Sequence, residues 1–359
     1  MLGPGSYSAF ITTRGGRDTV AELPWTALRW GRLVDDVSSA SLELTGTAFE
    51  CFGQTRGIHP YMHELSIVRS GERAWSGPIV AKAWRAGPQN DGMTISARDL
   101  MQWTRRRRIH SDHIYTNIDL AVMFNNVIRD AMSVDNSPRL RVTAPACGVL
   151  GTRRWLAAQY RTAYDVLREL AETELDWTVI DRTVMAHGVE INLPPLPTLT
   201  DQAFIDFEEV IEDGVDLTTD QVVTGDGFGE AGATIVGRHT VNTAGLYGVH
   251  ESTYNSGDIR DTTTAGRLAR SRALLNQHPI IGFNGGSLSD EAPVTIADLI
   301  PGRVVPVSIE TIGIYGAYRL VSVEGSVGPE HERVSISVEP VGATSQRALE
   351  WAAARQASG

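Results

Sequence analysis

The chain is poor in cysteine and has no long apolar run. Cys51 and Cys147 are its only cysteines, they lie far apart in the sequence, and we expect buried free thiols rather than a disulfide framework. No apolar run approaches the roughly 20 residues that a membrane-spanning helix needs. The first ten residues, MLGPGSYSAF, lack the basic and apolar stretches of a signal peptide. We therefore expect synthesis in a cytoplasm and no membrane segment.

Basic residues are also in the minority. The sequence holds 32 Lys and Arg against 43 Asp and Glu, a formal net charge of -11. A protein that reads duplex DNA carries a basic surface that neutralises phosphates, so this balance argues against such a protein. It does not argue against DNA passing nearby, because an acidic conduit repels phosphates and does not slow their transit. The charge therefore suits a pore better than a DNA reader.

The composition is that of an ordinary globular protein. Hydrophobic residues make up 42% and charged residues 21%, while 35 glycines predict many turns and short strands. A chain of 359 residues exceeds one compact core of usual size, so we expect two or three domains. These numbers favour a β-rich, multidomain protein.

The first hundred residues alternate between apolar and polar positions. Ser41–Thr45 and Leu65–Arg69 fit strands, and Ile79–Trp84 with Met93–Ala97 predicts an antiparallel hairpin. A short helix with Leu100, Met101 and Trp103 should follow the hairpin, before four consecutive arginines. We interpret this region as one β-barrel or sandwich.

The middle of the sequence changes to helical spacing. Thr116–Asp119 predicts the capping box of one helix and Thr162–Asp165 that of a second, which is followed by a strand at Trp177–Ile180. The prolines of Leu193–Pro197 predict a linker, since they fit neither a helix interior nor a central strand. Beyond it, strand candidates predict a second barrel, interrupted by a helix over 263–277.

Two stretches resemble one known family. The order strand, GPI, loop, ISARDL, helix within Trp75–Ile109 resembles the first β domain of tail-tip (baseplate) hub proteins of long-tailed phages, in particular a minor tail protein family of actinobacteriophages. The strand Trp25–Arg32 is similar to the hub strand that precedes SSASLEL, and the preferred physical account of Trp25 and Trp30 is a pair of core tryptophans. Asp298–Gly302, followed by RVVPVSIE, AYRLVSVEGSV and RVSISVEPV, resembles the final strands of the hub's second barrel.

The resemblance implies a mainly β fold with an α+β insert, in which two tube-like antiparallel β-barrel domains flank a small α+β domain. It implies a homotrimeric ring in the virion, at the tip of the tail, with DNA passing through its lumen. The implied partners are the distal tail protein, the C-terminus of the tape-measure protein, and a central fibre or other minor tail proteins; no cofactor is implied. The expected divisions are 1–108 (first barrel), 109–195 (α+β), 196–345 (second barrel) and 346–359 (C-terminal tail).

Several motifs resemble chemical sites but lack a feature that the chemistry requires. Gly227–Gly232 matches the dinucleotide fingerprint GxGxxG, but it runs into a strand rather than a helix, so a β-loop is expected. His110, Asp112 and His113 lack further ligands at diagnostic spacing and lie beside arginines, which predicts a solvated loop rather than a metal site. We predict no catalytic, cofactor-binding or metal-ligating residues.

Other catalytic signatures are incomplete. His63-Glu64 lacks the second histidine of a zinc protease, Ser287 lacks the closing glycine of a nucleophile elbow, and Cys147 has no recognisable histidine motif behind it. A glycosidase-type carboxylate pair needs no local signature, so it stays open. The alternatives to a structural hub are a tail-associated cell-wall hydrolase and a host-surface carbohydrate-binding β protein, which a cluster of exposed aromatics would favour.

The run of four arginines is the densest basic feature. It fits a solvated helix end, a docking surface for an acidic neighbour or, less well, a DNA contact. In a ring of acidic subunits it is the candidate inter-subunit contact: Arg105, Arg106, Arg107 and Arg108. The densest acidic stretch, Phe204–Asp216, is the candidate lumen wall or counter-surface, through Asp206, Glu208, Glu209, Glu212, Asp213 and Asp216.

Overall fold

A computed structural model of the protein describes residues 1–86, 91–171, 175–188, 194–215, 217–226, 234–256, 262–328 and 331–341. The chain divides into two compact units. The first comprises Met1–Glu209 and Phe283–Gly359, and the second is Val210–Gly282. The candidate C-terminal tail, 346–359, lies outside the described residues.

The N-terminal part of the first unit is built from antiparallel strands. The predicted hairpin is confirmed, since β6 and β7 pair from Ile79 opposite Ala97 to Arg85 opposite Gly92. Trp30 is buried, as expected for a core tryptophan, and Trp25 is partly buried against the same core. The elements are β1 (Tyr7–Thr13), β2 (Thr19–Glu22), β3 (Trp25–Leu33), β4 (Ser39–Leu44), α1 (Ala48–Gln54), β5 (His63–Arg69), β6 (Glu72–Arg85), β7 (Gly92–Arg98) and α2 (Gln102–Arg105).

The middle part of the first unit is the α+β insert. A three-stranded sheet in the order β11-β12-β9 packs with α3 and α4 around a separate apolar core that includes Phe124, Leu167 and Trp177. A two-stranded ladder of β8 and β10 accompanies it. The elements are β8 (His113–Asp119), α3 (Leu120–Met132), β9 (Arg141–Thr143), β10 (Leu150–Trp155), α4 (Ala163–Ala171), β11 (Leu175–Ile180) and β12 (Thr183–Gly188).

The two predicted helix starts had different outcomes. At α4 the predicted N-terminal cap is confirmed: the Thr162 Oγ1 accepts a hydrogen bond from the Asp165 N–H at 3.1 Å. At α3 the expected start at Thr116 is wrong, because Thr116 belongs to β8 and the N-cap is Asp119, whose Oδ1 accepts from the Ala121 N–H at 2.9 Å. Strand β8 extends through Asp119, and Asp119 is also the N-cap of α3. The predicted capping box at Thr116 therefore does not form.

The rest of the chain is again mostly strands. Residues 194–197 of the predicted linker form no helix or strand, and Leu193 lies outside the described residues. The predicted helix over 263–277 is present as α6. The elements are β13 (Leu199–Thr200), β14 (Phe204–Asp206), β15 (Glu209–Asp213), β16 (Asp220–Asp226), β17 (Thr234–Thr240), α5 (Ala244–Tyr247), β18 (Glu251–Ser256), α6 (Thr262–Leu275), β19 (Ile280–Leu288), β20 (Val304–Ile309), β21 (Ile314–Val327) and β22 (Glu332–Pro340).

One long sheet joins the two ends of the chain in the first unit. Its strands run in the order β14-β19-β22-β21-β3-β4-β7-β6-β5-β1-β2, and β3 and β21 pair antiparallel from Leu33 opposite Ser322 to Leu28 opposite Val327. The main apolar core draws on both ends, for example on Leu28, Leu42, Leu320 and Ile336. The predicted fold class, mainly antiparallel β with an α+β insert, is confirmed.

The second unit is a small sheet covered by a helix. Strand β16 lies between β17, which is antiparallel to it, and β18, which is parallel. Val223 of β16 packs with Ala265 and Ala269 of α6. A side chain at Gly237 in β17 would collide with the backbone of Ala265, so the missing side chain lets the helix approach the strand closely.

Candidate assembly surface

The four arginines leave the end of α2 and run alongside the start of α4. Helix α2 ends at Arg105, and the next three arginines continue in an irregular segment. The Ala163 N–H donates to the Arg107 carbonyl at 2.8 Å, and Arg108 forms an isolated antiparallel bridge with Thr162. The block is therefore fixed against the α+β insert by its own backbone.

Two of the arginines turn inward. Arg105 forms an ion pair with Asp36, donates to the Tyr164 hydroxyl at 2.8 Å and lies 4.3 Å from the centre of the Tyr164 ring. Arg107 donates to the Asp135 carboxylate at 3.2 Å and lies over the Trp103 ring. Burial, and then the nearby Asp36 carboxylate, raise the pKa of Tyr164. A fully solvated helix end is therefore the wrong description of Arg105 and Arg107.

The other two arginines face solvent. Arg106 and Arg108 are exposed, and their guanidinium groups lie 5.6 Å from the centre of the Tyr61 ring and 5.2 Å from that of Tyr160. Together with Arg105, Arg107, His110, Val134 and Thr162 they line a shallow cavity of about 420 Å³, which we call the arginine cleft. Its lining is cationic, and two of its charges are held on aromatic rings at the surface, where a partner can reach them.

The candidate acidic residues are exposed, and several are already engaged within the chain. Asp206 accepts from Arg333 at 2.9 Å, and Glu209 accepts from the Asn284 side chain at 3.4 Å. Glu208 and Glu212 are also exposed. Asp216 and the side chain of Asp213 lie outside the described residues. The structure brings the arginines together with Asp36 and Asp135.

The side chains of His113 and Asp112 have polar partners within the chain. His113 opens β8 and is buried, with Nδ1 2.8 Å from the Tyr115 hydroxyl and Nε2 3.3 Å from Asp130, so the expectation of a solvated loop is wrong for His113. Asp112 accepts from the Ala157 N–H at 2.8 Å, while His110 is exposed. Within the described ranges, no group of three His, Cys, Asp or Glu side chains could hold a metal ion.

The remaining rejected motifs have structural partners where they are described. Glu64 is buried in an ion pair with Arg182, the Ser287 hydroxyl accepts from Arg333 at 2.9 Å, and the Cys147 thiol donates to Asp119 at 3.3 Å. Both cysteines are free, as predicted; Cys51 is buried as expected, whereas Cys147 is only partly buried. The GxGxxG match at 227–232 lies outside the described residues.

Sequence reasoning missed a cluster of exposed aromatic rings. Phe49 and Phe52 project from α1, and the Phe52 ring meets the Trp84 ring edge to face with 5.5 Å between centroids. Phe49 is 86% exposed and Trp84 is 54% exposed. A capping box between Thr47 and Glu50 fixes the helix that carries both phenylalanines. From the sequence alone, two phenylalanines three residues apart in a short helix do not indicate whether their rings are buried or exposed.

No helix among the described residues combines the length and the apolar character that crossing a membrane requires. No protein-family profile matches the sequence. No curated protein matches it either.

Solved structures do match, over nearly the whole chain. A 43 kDa tail protein of prophage MuSo2 from Shewanella oneidensis superposes with a TM-score of 0.67 at 13% identity, covering 94% of this chain and 100% of that one. A tail protein from Neisseria meningitidis gives 0.66 at 13% identity, with 94% and 97% covered. Prophage tail protein gp18 from Listeria monocytogenes gives 0.60 at 12% identity, with 96% and 98% covered. The chain therefore has the fold of these phage tail proteins.

Proposed function

We propose that this protein is a structural tail-tip hub protein of a phage virion, of the minor tail protein type of long-tailed actinobacteriophages. In this proposal it forms a ring that continues the tail tube, links the distal tail protein to the central fibre or cap, and lets DNA pass through its lumen. The observation that carries the proposal is the end-to-end similarity to a prophage tail protein, in which neither chain has a large unmatched domain.

The proposed ring is a homotrimer. Each chain would contribute two β domains, 1–108 and 196–345, on either side of the α+β domain 109–195, with 346–359 as a tail. Three chains would then present six β domains, which matches a hexameric tail ring above. The C-terminus of the tape-measure protein would lie in the lumen, and a central fibre or other minor tail proteins below.

Charge supports a specific contact within this ring. A net charge of -11 per chain triples in a trimer, so neighbouring copies repel unless a basic surface lies between them. Arg106 and Arg108 are the members of the arginine block that face solvent, and we assign the inter-subunit contact to them. The exposed carboxylates Asp206, Glu208, Glu209 and Glu212 would form the lumen wall or the counter-surface.

The proposed role is non-enzymatic and needs no cofactor. The hydrolase alternative predicts muropeptide release from purified peptidoglycan, and this release should be lost when a carboxylate or Cys147 is replaced.

The position of the protein in the virion is tested by immunogold labelling of phage particles with an antibody to this chain. Labelling at the end of the tail away from the capsid supports the hub, and labelling of the capsid or of the whole tail length contradicts it.

A second candidate function rests on the exposed aromatic cluster. Flat aromatic faces stack on the apolar faces of sugar rings, and Phe49, Phe52 and Trp84 offer such rings on a fixed helix and strand. Glycan binding at the host surface would then be added to the structural role. Binding to host cell-wall polysaccharide that Trp84→Ala abolishes would support it, and equal binding by the Trp84→Ala variant would exclude it.

A further inference from the structure

A second basic cavity lies in the first unit, on elements that the proposed ring contact does not use. It has a volume of about 290 Å³, and its polar lining residues are Arg32, Arg69, Ser70, Glu72, Arg73 and Thr295. Since one water occupies about 30 Å³ of liquid, the cavity has room for a small charged group with several waters.

Arg32 is the central residue of this cavity. Its side chain is 2% exposed, and its guanidinium is held by main-chain carbonyls: Nη1 donates to Ile296 at 2.7 Å and to Leu299 at 3.0 Å. Nη2 and Nε both donate to the Ala74 carbonyl, at 2.8 and 3.2 Å. Carbonyl oxygens satisfy N–H groups, but they carry no charge to balance the cation. Burial lowers the pKa of Arg32 to about 10, although the nearby Asp181 and Tyr7 oppose that shift.

Some hydrogen-bond donors of the cavity's side chains are not used by the hydrogen bonds that the described residues make. A guanidinium has five N–H groups, and the four bonds of Arg32 leave one on Nη2. Arg73 uses one N–H, at Nη1, for Asp181 at 3.0 Å, and the Ser70 hydroxyl accepts from the Ser6 N–H at 3.4 Å. Arg69 is occupied by Glu332, to which its Nε donates at 2.7 Å. Unused donors beside a buried cation whose hydrogen bonds go to main-chain carbonyls are the setting in which an anionic acceptor is stabilised.

We propose that this Arg32 cavity binds one oxyanion group, a carboxylate or a phosphate, through Arg32, Arg73 and the Ser70 hydroxyl. The anion would supply the negative charge that the carbonyls around Arg32 do not. The carboxylate of Glu72, which also lines the cavity, disfavours ligands with several negative charges. The group could come from free phosphate in solution or from an acidic side chain of a second copy, and both sources offer the same chemistry.

The test is isothermal titration calorimetry of the full chain with two probes. The first is inorganic phosphate, and the second is a peptide with the sequence of residues 203–212, which carries exposed carboxylates of this chain. The measurement uses the Arg106→Gln/Arg108→Gln background, so that the arginine cleft does not contribute. The decisive variant is Arg73→Gln, and the matched control is Arg85→Gln, an exposed arginine of the same strand outside the cavity.

We expect at least one probe to bind, and Arg73→Gln to weaken that binding about tenfold while Arg85→Gln leaves it unchanged. Binding of phosphate alone identifies a free anion, and binding of the peptide identifies a protein carboxylate. The proposal is overturned if neither probe binds at millimolar concentration, or if Arg73→Gln and Arg85→Gln bind equally. Arg32→Lys is a second variant that should also weaken binding. If that variant does not fold, the comparison of Arg73→Gln with Arg85→Gln still tests the proposal.

Discussion

Trp30 of β3 stands directly opposite Gly325 of β21, and its indole fills the space that a side chain at position 325 would need. This cross-strand pair lies where the N-terminal strands join the C-terminal strands in one sheet. The absence of a side chain at position 325 is therefore a condition for joining the two ends of the chain.

Replacing Gly325 with alanine should destabilise the protein by about 1–3 kcal/mol, because the new methyl group overlaps a buried indole ring that has no free space to move into. Urea unfolding followed by tryptophan fluorescence measures the change. Gly328→Ala is the matched control, since a Cβ there meets nothing within 4 Å. Equal stability of the two variants would show that the Trp30–Gly325 contact does not constrain the sheet.

Asp99 should make stability fall as the pH rises from about 4 to about 6. Its carboxylate is buried and accepts from the Ser38 hydroxyl at 2.7 Å and the Met101 N–H at 2.9 Å, yet burial raises its pKa to about 6. A group with a raised pKa binds more protons when folded, so its stabilising contribution is present below pH 4 and lost through pH 6. A shift of this size corresponds to roughly 2–3 kcal/mol.

The measurement for Asp99 is the difference in free energy of unfolding between the native chain and Asp99→Asn, taken at several pH values. Asparagine does not titrate, so the difference should decrease as the pH rises through this window. A difference that is constant from pH 4 to pH 7 would contradict the assignment.

His187 should act in the opposite direction. It is buried on β12 opposite Asp176 of β11, and burial lowers its pKa even though the neighbouring carboxylate opposes that shift. The folded state then binds fewer protons than the unfolded state, so stability is lost as the pH falls below the ordinary histidine pKa of about 6.5. His187→Phe should flatten that acid-side loss in thermal unfolding between pH 5 and 7. An unchanged pH profile would show that His187 does not contribute to it.

The arginine block should separate into an assembly pair and a stability pair. Arg106→Gln/Arg108→Gln should leave the unfolding free energy of the isolated chain unchanged and weaken assembly into tails, with a larger defect at low salt, where repulsion is less screened. Arg105→Gln/Arg107→Gln should instead destabilise the chain by about 1–3 kcal/mol, because Asp36 and Asp135 each lose an arginine partner. Normal tail assembly by the first variant would exclude the docking role.

Local signals in the sequence predicted local structure well. The helix cap at Thr162 and the β6–β7 hairpin are confirmed because each depends on residues close together in the chain. The pairing of β3 with β21 and the ion pair of Arg105 with Asp36 were not predicted, since their partners are distant in the sequence and no local pattern identifies them. The sequence therefore predicted one uniform basic block. In the structure Arg105 and Arg107 form ion pairs within the chain, whereas Arg106 and Arg108 face solvent.

The central claim is a closed trimeric ring at the tail tip. Cryo-electron microscopy of intact tails, with the copy number of this chain at the tip measured from the density, tests it most directly. We predict three copies around one axis, with a continuous lumen and with Arg106 and Arg108 at the contact between neighbouring copies. A copy number that is not a multiple of three, or an open arrangement without a lumen, would contradict the account.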